Sequence, residues 1–213
     1  MKLLETKNLR LRLQGREHPI FENKAFYLEE RQRISVTGPS GSGKSLFLRS
    51  LCLLEEHLEG EIFWRGHLVT DDQVTHFRSH VMYVGQKTSL PAGKVEDAFN
   101  EVFQFKAHRE KKWHRERTVE TLRFFGKPAQ FLTQRLEVLS GGEKQIVNLL
   151  RAVELAPEVL CLDEPTSALD AVSTLKMEAW LNDHFHGAWL WVTHNREQAE
   201  RVSTQNLRFP LGE

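Results

Sequence analysis

The sequence predicts an α/β fold: a mostly parallel sheet with helices, opened by an antiparallel β subdomain and interrupted by an inserted α-helical subdomain. Three observations predict it. Apolar strands alternate with helices from about residue 33, and again from Ser140 to the end. Between these stretches, from about Lys94, the chain becomes polar, amphipathic and helical in period. The strand at 33–38 also runs straight into a glycine loop that opens a helix, the junction of a βαβ unit.

The elements follow in order. NLRLRL (8–13) puts Leu9, Leu11 and Leu13 on one face and Arg10 and Arg12 on the other, the period of a half-buried strand. QGREHP supplies a turn, and a second strand is expected around Lys24 to Leu28. RISVTG (33–38) reads as a buried strand, and GKSLFLRSLCLL (43–54) as a helix with an apolar face. EIFW and HLVT flank Arg65-Gly66 as a hairpin, and VMYVG (81–85) is another buried strand. KVEDAFNEVFQF, HREKKWHRERTVETLRFF and PAQFLTQRLEVL all read as helical. After Ser140 come a helix, the strand EVLCLDE, a helix, the strand AWLWVTH, a helix and a last strand NLRF. The expected organisation is one domain over 1–213, with 1–86 and 157–213 forming the core and about 87–156 the helical subdomain.

Composition narrows the function. Lysine plus arginine equals aspartate plus glutamate, 29 each, so no net charge favours a nucleic acid or an anionic membrane. No apolar run approaches the roughly eighteen residues of a membrane span, and the N-terminus has no apolar signal core. Cys52 and Cys161 lie inside apolar runs and are expected as buried free thiols of a reducing compartment. The expectation is a cytoplasmic domain that reaches any membrane through a partner. The mixed-sign run HREKKWHRER is expected as a solvated helix face, and Asp183-His184-Phe185-His186 has a poor spacing for two metal ligands on one helix face.

The chemistry begins at Gly38, Pro39, Ser40, Gly41, Ser42, Gly43, Lys44 and Ser45, which match G-x-x-x-x-G-K-[ST] in the required strand-to-helix context. Glycines let consecutive N–H groups curl toward phosphate oxygens, and the helix N-terminus adds partial positive charge. Lys44 can reach the β and γ phosphates, and the Ser45 hydroxyl can ligate Mg²⁺. The core is therefore expected to be that of a P-loop NTPase (RecA-like). VLCLDEP (159–165) should be its second strand, with Asp163 holding a water of the Mg²⁺ shell and Glu164 polarising the attacking water. Gln86 after VMYVG and His194 after WLWVT end buried strands at the same carboxyl edge, where both can reach the γ-phosphate and Gln86 the metal.

LSGGEKQ (139–145) is a second glycine-led anion grip: Ser140 is a good N-cap, and Gly141 and Gly142 leave first-turn N–H groups open. With it the chain resembles an ATP-binding cassette (ABC) ATPase over essentially its whole length. The features stand in the family's order: GPSGSGKS, Gln86, LSGGE, VLCLDEP, SALD at 167–170 and His194. The resemblance implies ATP and Mg²⁺ as ligands and two cassettes closing head to tail. LSGGE of each would then hold the γ-phosphate of the ATP cradled by the other. It also implies an integral membrane permease as partner, with the chain peripheral on the inner face of the cell membrane and no nucleic acid. The segment from LEVLSGGEKQ through LDEPTSALD to AWLWVTHN looks most like the FetA (YbbL) type, proposed to serve metal export.

Three positions depart from the family's pattern. Ile146 stands where the family usually has arginine. Leu13 stands where many members stack an aromatic ring on adenine, which predicts slack base selectivity, and Pro91 replaces a common phenylalanine at the expected partner groove. A soluble cassette acting on nucleic acid or ribosomes is the competing class, but such relatives usually carry coiled-coil inserts or two cassettes per chain.

Overall fold

The computed structural model describes residues 1–12 and 18–210, apart from the side chains of Asn23 and Lys24. Leu13 and the first four residues of the QGREHP turn lie outside the described residues. The chain divides into two compact units, one of 1–84, 157–164 and 186–213, the other of 85–156 and 165–185.

The first unit holds two sheets. β1 (Lys2–Leu11), β2 (Phe21–Glu29), β4 (Leu58–Trp64) and β5 (His67–Leu68) form an antiparallel sheet in the order β2-β1-β4-β5. β1 begins earlier than the leucine alternation suggests, because Leu3 and Leu4 are also buried. Its pairing with β4 shifts between Lys7 and Arg10, where Asn8 is left-handed at φ 51. A Cβ on Gly60 would meet Asn8 O at 2.5 Å, so only glycine fits opposite this irregularity. The expected hairpin forms, with Phe63 opposite Leu68 and Trp64 opposite His67.

The second sheet is parallel. β3 (Arg33–Thr37), β6 (Val81–Val84), β7 (Val159–Asp163), β8 (Ala188–Val192) and β9 (Gln205–Arg208) run in the order β6-β7-β8-β3-β9. Every residue of β7 and β8 is buried, as continuous apolar runs in a parallel sheet require. Helix α1 (Lys44–Leu51) seats Phe47 among Phe21, Phe26 and Phe209, with ring centroids 5.3–5.4 Å apart. The same core takes Ile34, Val36, Cys161, Leu190 and Val192, alternate positions on one face of the sheet. Trp189 points to the other face, where its Nε1 donates to Val202 O (2.8 Å) at the end of α7 (Arg196–Val202). Both cysteines are buried and free, and burial pushes the Cys52 thiol up. The short helix α2 (Val74–Arg78) was not legible in the sequence, since its single buried residue, Phe77, makes no period.

The second unit is helical: α3 (Val95–Gln104), α4 (Arg115–Phe124), α5 (Gly141–Glu154) and α6 (Ala171–His184). Two expected helices are shorter or absent. HREKKW contributes no α-helix. Instead Lys111 donates to Leu155 O at the end of α5, and Trp113 Nε1 donates to Thr118 Oγ1 (2.8 Å) at the start of α4. The first part of the charge run is thus partly spent on capping, while Arg115, Glu116 and Arg117 lie exposed on α4 as the expected helix face. PAQFLTQRLEVL forms two 3₁₀ turns, Ala129–Thr133 and Leu136–Val138. Between them Gln134 and Arg135 are extended, because Val95 N bonds Gln134 O (3.0 Å) and Leu136 N bonds Gly93 O (2.8 Å). That distant pairing outweighs the helical period. Among the described residues no helix is long and apolar enough to cross a membrane.

Candidate nucleotide site

The glycine loop hangs between β3 and α1 of the first unit. Gly38, Gly41 and Gly43 have φ of 149°, 75° and 98°. A Cβ on Gly38 would stand 2.5 Å from Phe209 O, and one on Gly43 would stand 2.9 Å from Ile20 Cγ2. These glycines are therefore demanded by close neighbours as well as by conformation. Lys44, only 5% exposed, spans the loop: its Nζ donates to Gly38 O (3.0 Å) and Pro39 O (2.6 Å). Burial lowers its affinity for the proton, and the nearby charges of Glu164 and Asp163 partly offset that. A desolvated ammonium between two carboxylates and a glycine loop is suited to phosphate oxygens.

Asp163 ends β7 and is buried. Tyr83 O–H donates to its Oδ2 at 2.8 Å, a contact that sequence reasoning missed. Only the register of β6 against β7 brings Tyr83 there, with Tyr83 opposite Cys161 and Val84 opposite Leu162. The next residue, Glu164, sits in the left-handed region at φ 48, and its N–H bonds Val192 O (3.2 Å). A non-glycine residue there costs of order 1–3 kcal/mol, so the surrounding structure over-determines it. The turn aims Glu164 Oε1 at His194 Nε2, 2.9 Å away, just past the end of β8. His194 is itself held by a short network. Thr193 Oγ1 donates to Gln198 Oε1 (2.6 Å) and accepts from Asn195 N (3.0 Å), while Asn195 caps α7 through Gln198 N (3.0 Å).

The site fits a magnesium ion with a nucleotide. The donor set is hard oxygen: the exposed Ser45 hydroxyl in the first turn of α1 and the carboxylate of Asp163. When bound, the ion neutralises phosphate charge. Ser45 and Asp163 would hold it, Lys44 would hold phosphate, and Glu164 with His194 would orient a water and its proton. A cavity of about 740 Å³ touches Gly38, Pro39 and His194 from the α7–β9 side, but not Lys44, Asp163 or Glu164. Its wall residues Thr37, Asn206 and Ser35 bond to one another (2.9 and 2.8 Å), which leaves them little call for a ligand.

The remaining predicted residues stand in the second unit. Gln86 is exposed, two residues past the end of β6. Ser140 is the N-cap of α5 in a full capping box. Its Oγ accepts from Glu143 N (3.2 Å), and Glu143 Oε2 accepts from Ser140 N (2.9 Å). Lys127 Nζ lies 2.6 Å from Glu143 Oε1 and, with the capping bonds, holds that carboxyl below its ordinary range. Gly142 is needed for more than open N–H groups, since a Cβ there would meet Ala168 O at 2.9 Å. Gln145, which sequence reasoning passed over, fastens this approach. Its Oε1 accepts from Ala168 N (2.9 Å), and its Nε2 donates to Ser167 Oγ (3.2 Å). These bonds tie SALD to α5 and accompany the grouping of 165–185 with the helical unit. Ile146 is buried, so the position serves apolar packing.

Comparison with known proteins places this geometry. The ABC transporter family profile matches residues 21–167. The phosphate import ATP-binding protein PstB 1 of Ligilactobacillus salivarius is 33% identical over 99% of this chain and 83% of its own length. The putative ABC transporter ATP-binding protein YjkB of Bacillus subtilis is 31% identical over 89% and 75%. Among solved structures, the dimeric ATP-binding cassette MJ0796, in a post-hydrolysis state bound to ADP and Pi, matches at a TM-score of 0.80. It is 25% identical, with 94% of this chain and 91% of that one covered. An Atm1-family ABC exporter with ATP bound shares the fold at a TM-score of 0.79 and 22% identity, over 98% of this chain and 38% of that one. The chain belongs to the ABC transporter family, as an ATP-binding cassette and an ABC-type ATPase.

Proposed function

We propose that this chain is the ATP-hydrolysing subunit that drives a membrane permease. It works with Mg²⁺ from the cytoplasmic face, as a head-to-tail pair of identical cassettes. The observation that carries the reading is the 2.9 Å pair of Glu164 and His194 in the unit that also holds Lys44 and Asp163. Lys44 anchors the phosphates, Ser45 and Asp163 hold Mg²⁺, Gln86 reaches the γ-phosphate and metal, and Glu164 takes the proton of the attacking water. His194 keeps that carboxylate aimed. Ser140, Gly141 and Gly142 form the grip for the nucleotide of the second copy, at the N-terminus of α5.

Cargo and direction belong to the permease. Relatives named as phosphate import proteins support a transport role at 33% and 32% identity. The likeness of the segment around LSGGEKQ and LDEPTSALD to the FetA type supports metal export as the specific cargo reading. In that reading the metal would pass through the permease partner.

The test is ATP turnover with and without Mg²⁺ in wild type, Lys44→Ala and Glu164→Gln. Lys44→Ala should lose nucleotide binding. Glu164→Gln should keep binding and lose turnover by about 10²-fold or more. Full turnover in Glu164→Gln would remove Glu164 from its role.

A further inference from the structure

We propose that Tyr83 is a positioning residue for magnesium: its hydroxyl fixes Asp163 so that one carboxylate oxygen is kept for the metal shell. The inference rests on the Mg²⁺ reading of the site above. Tyr83 O–H donates to Asp163 Oδ2 at 2.8 Å, and among the described residues no hydrogen bond reaches Oδ1. A buried carboxylate with one oxygen tied cannot rotate freely about its last torsion. The remaining oxygen then points in one direction, as an octahedral ion with near-ideal geometry requires.

The tyrosine is itself held. The guanidinium of Arg49 lies 5.9 Å from its ring centroid, and Arg49 is paired to Glu55. A chain thus runs from Glu55 through Arg49 and Tyr83 to Asp163, all within one compact unit. Apolar filling of this place would need only the ring, and the hydroxyl is what the proposal explains.

Tyr83→Phe removes that one oxygen and leaves the ring. Calorimetric titration of ATP, in excess chelator and at a series of Mg²⁺ concentrations, separates the two roles without relying on turnover. The Mg²⁺ concentration that gives half the gain in ATP affinity should rise about tenfold in Tyr83→Phe. ATP affinity in chelator should stay within about twofold of wild type, which also reports an intact fold. An unchanged Mg²⁺ dependence, or an equal loss with and without Mg²⁺, overturns the inference alone. A wild type whose ATP affinity ignores Mg²⁺ overturns the Mg²⁺ reading, and this inference with it.

Discussion

His194 Nε2 stands 2.9 Å from Glu164 Oε1, at the ends of two neighbouring parallel strands. An N–H donated from β8 therefore orients a carboxylate that the left-handed turn after β7 has already aimed. His194→Ala should leave ATP affinity unchanged and lower turnover at least about tenfold, because only the orientation of the base is lost. Parallel binding and steady-state assays check this. A turnover within twofold of wild type would show that Glu164 needs no such support.

Ser140→Arg tests the second grip. The substitution fills the N-terminus of α5 with a bulky side chain, while the phosphate loop is untouched. In a Glu164→Gln background with Mg-ATP, sedimentation should show a dimer, and adding Ser140→Arg should abolish it while monomeric ATP binding persists. A dimer that survives would reduce LSGGE to a capped helix.

Gln145→Leu should lower stability by about 1–3 kcal/mol. It leaves Ala168 N–H without its acceptor and Ser167 Oγ without its donor, at a side chain only 3% exposed. Denaturant unfolding reads the loss. A neutral result would mean that the Gly142–Ala168 approach holds SALD by packing alone.

The Lys127–Glu143 pair gives a pH-dependent term. The folded-state Glu143 carboxyl is held below its ordinary value, first by Lys127 and then by Ser140. Its contribution is present above the unfolded carboxyl pKa, about 4.3, and fades as pH falls through the depressed folded value. Lys127→Met should therefore cost about 0.5–1 kcal/mol near neutrality and converge with wild type in acid. Melting curves from pH 7 to pH 3 check both the size and the sign.

Leu90→Asp probes the proposed permease contact. Leu90, Pro91 and Gly93 belong to the irregular segment between Gln86 and α3, with Leu90 and Pro91 half-buried. A charge there should release the chain from membranes that contain its permease and spare ATPase activity in solution. Retention on the membrane would move the docking surface elsewhere.

The sequence by itself determined the family's motif stretches, because a backbone anion grip needs contiguous residues. Gly38 through Ser45 and Leu139 through Gln145 are each read from one stretch, and so is the strand that ends in Asp163 and Glu164. It also determined the β–α alternation, since apolar runs such as AWLWV cannot be satisfied except between two layers. Only the tertiary structure decided what comes from pairing across the chain. The register of β6 on β7 brought Tyr83 to Asp163, eighty residues apart in sequence. The bonds from Gln145 to Ser167 and Ala168 joined SALD to α5. The bridge from Gly93 and Val95 to Gln134 and Leu136 turned an expected helix into two short turns. The physical reason is the same in each case: a hydrogen bond between distant segments depends on where the sheet and helices place its two ends, and no local period encodes that.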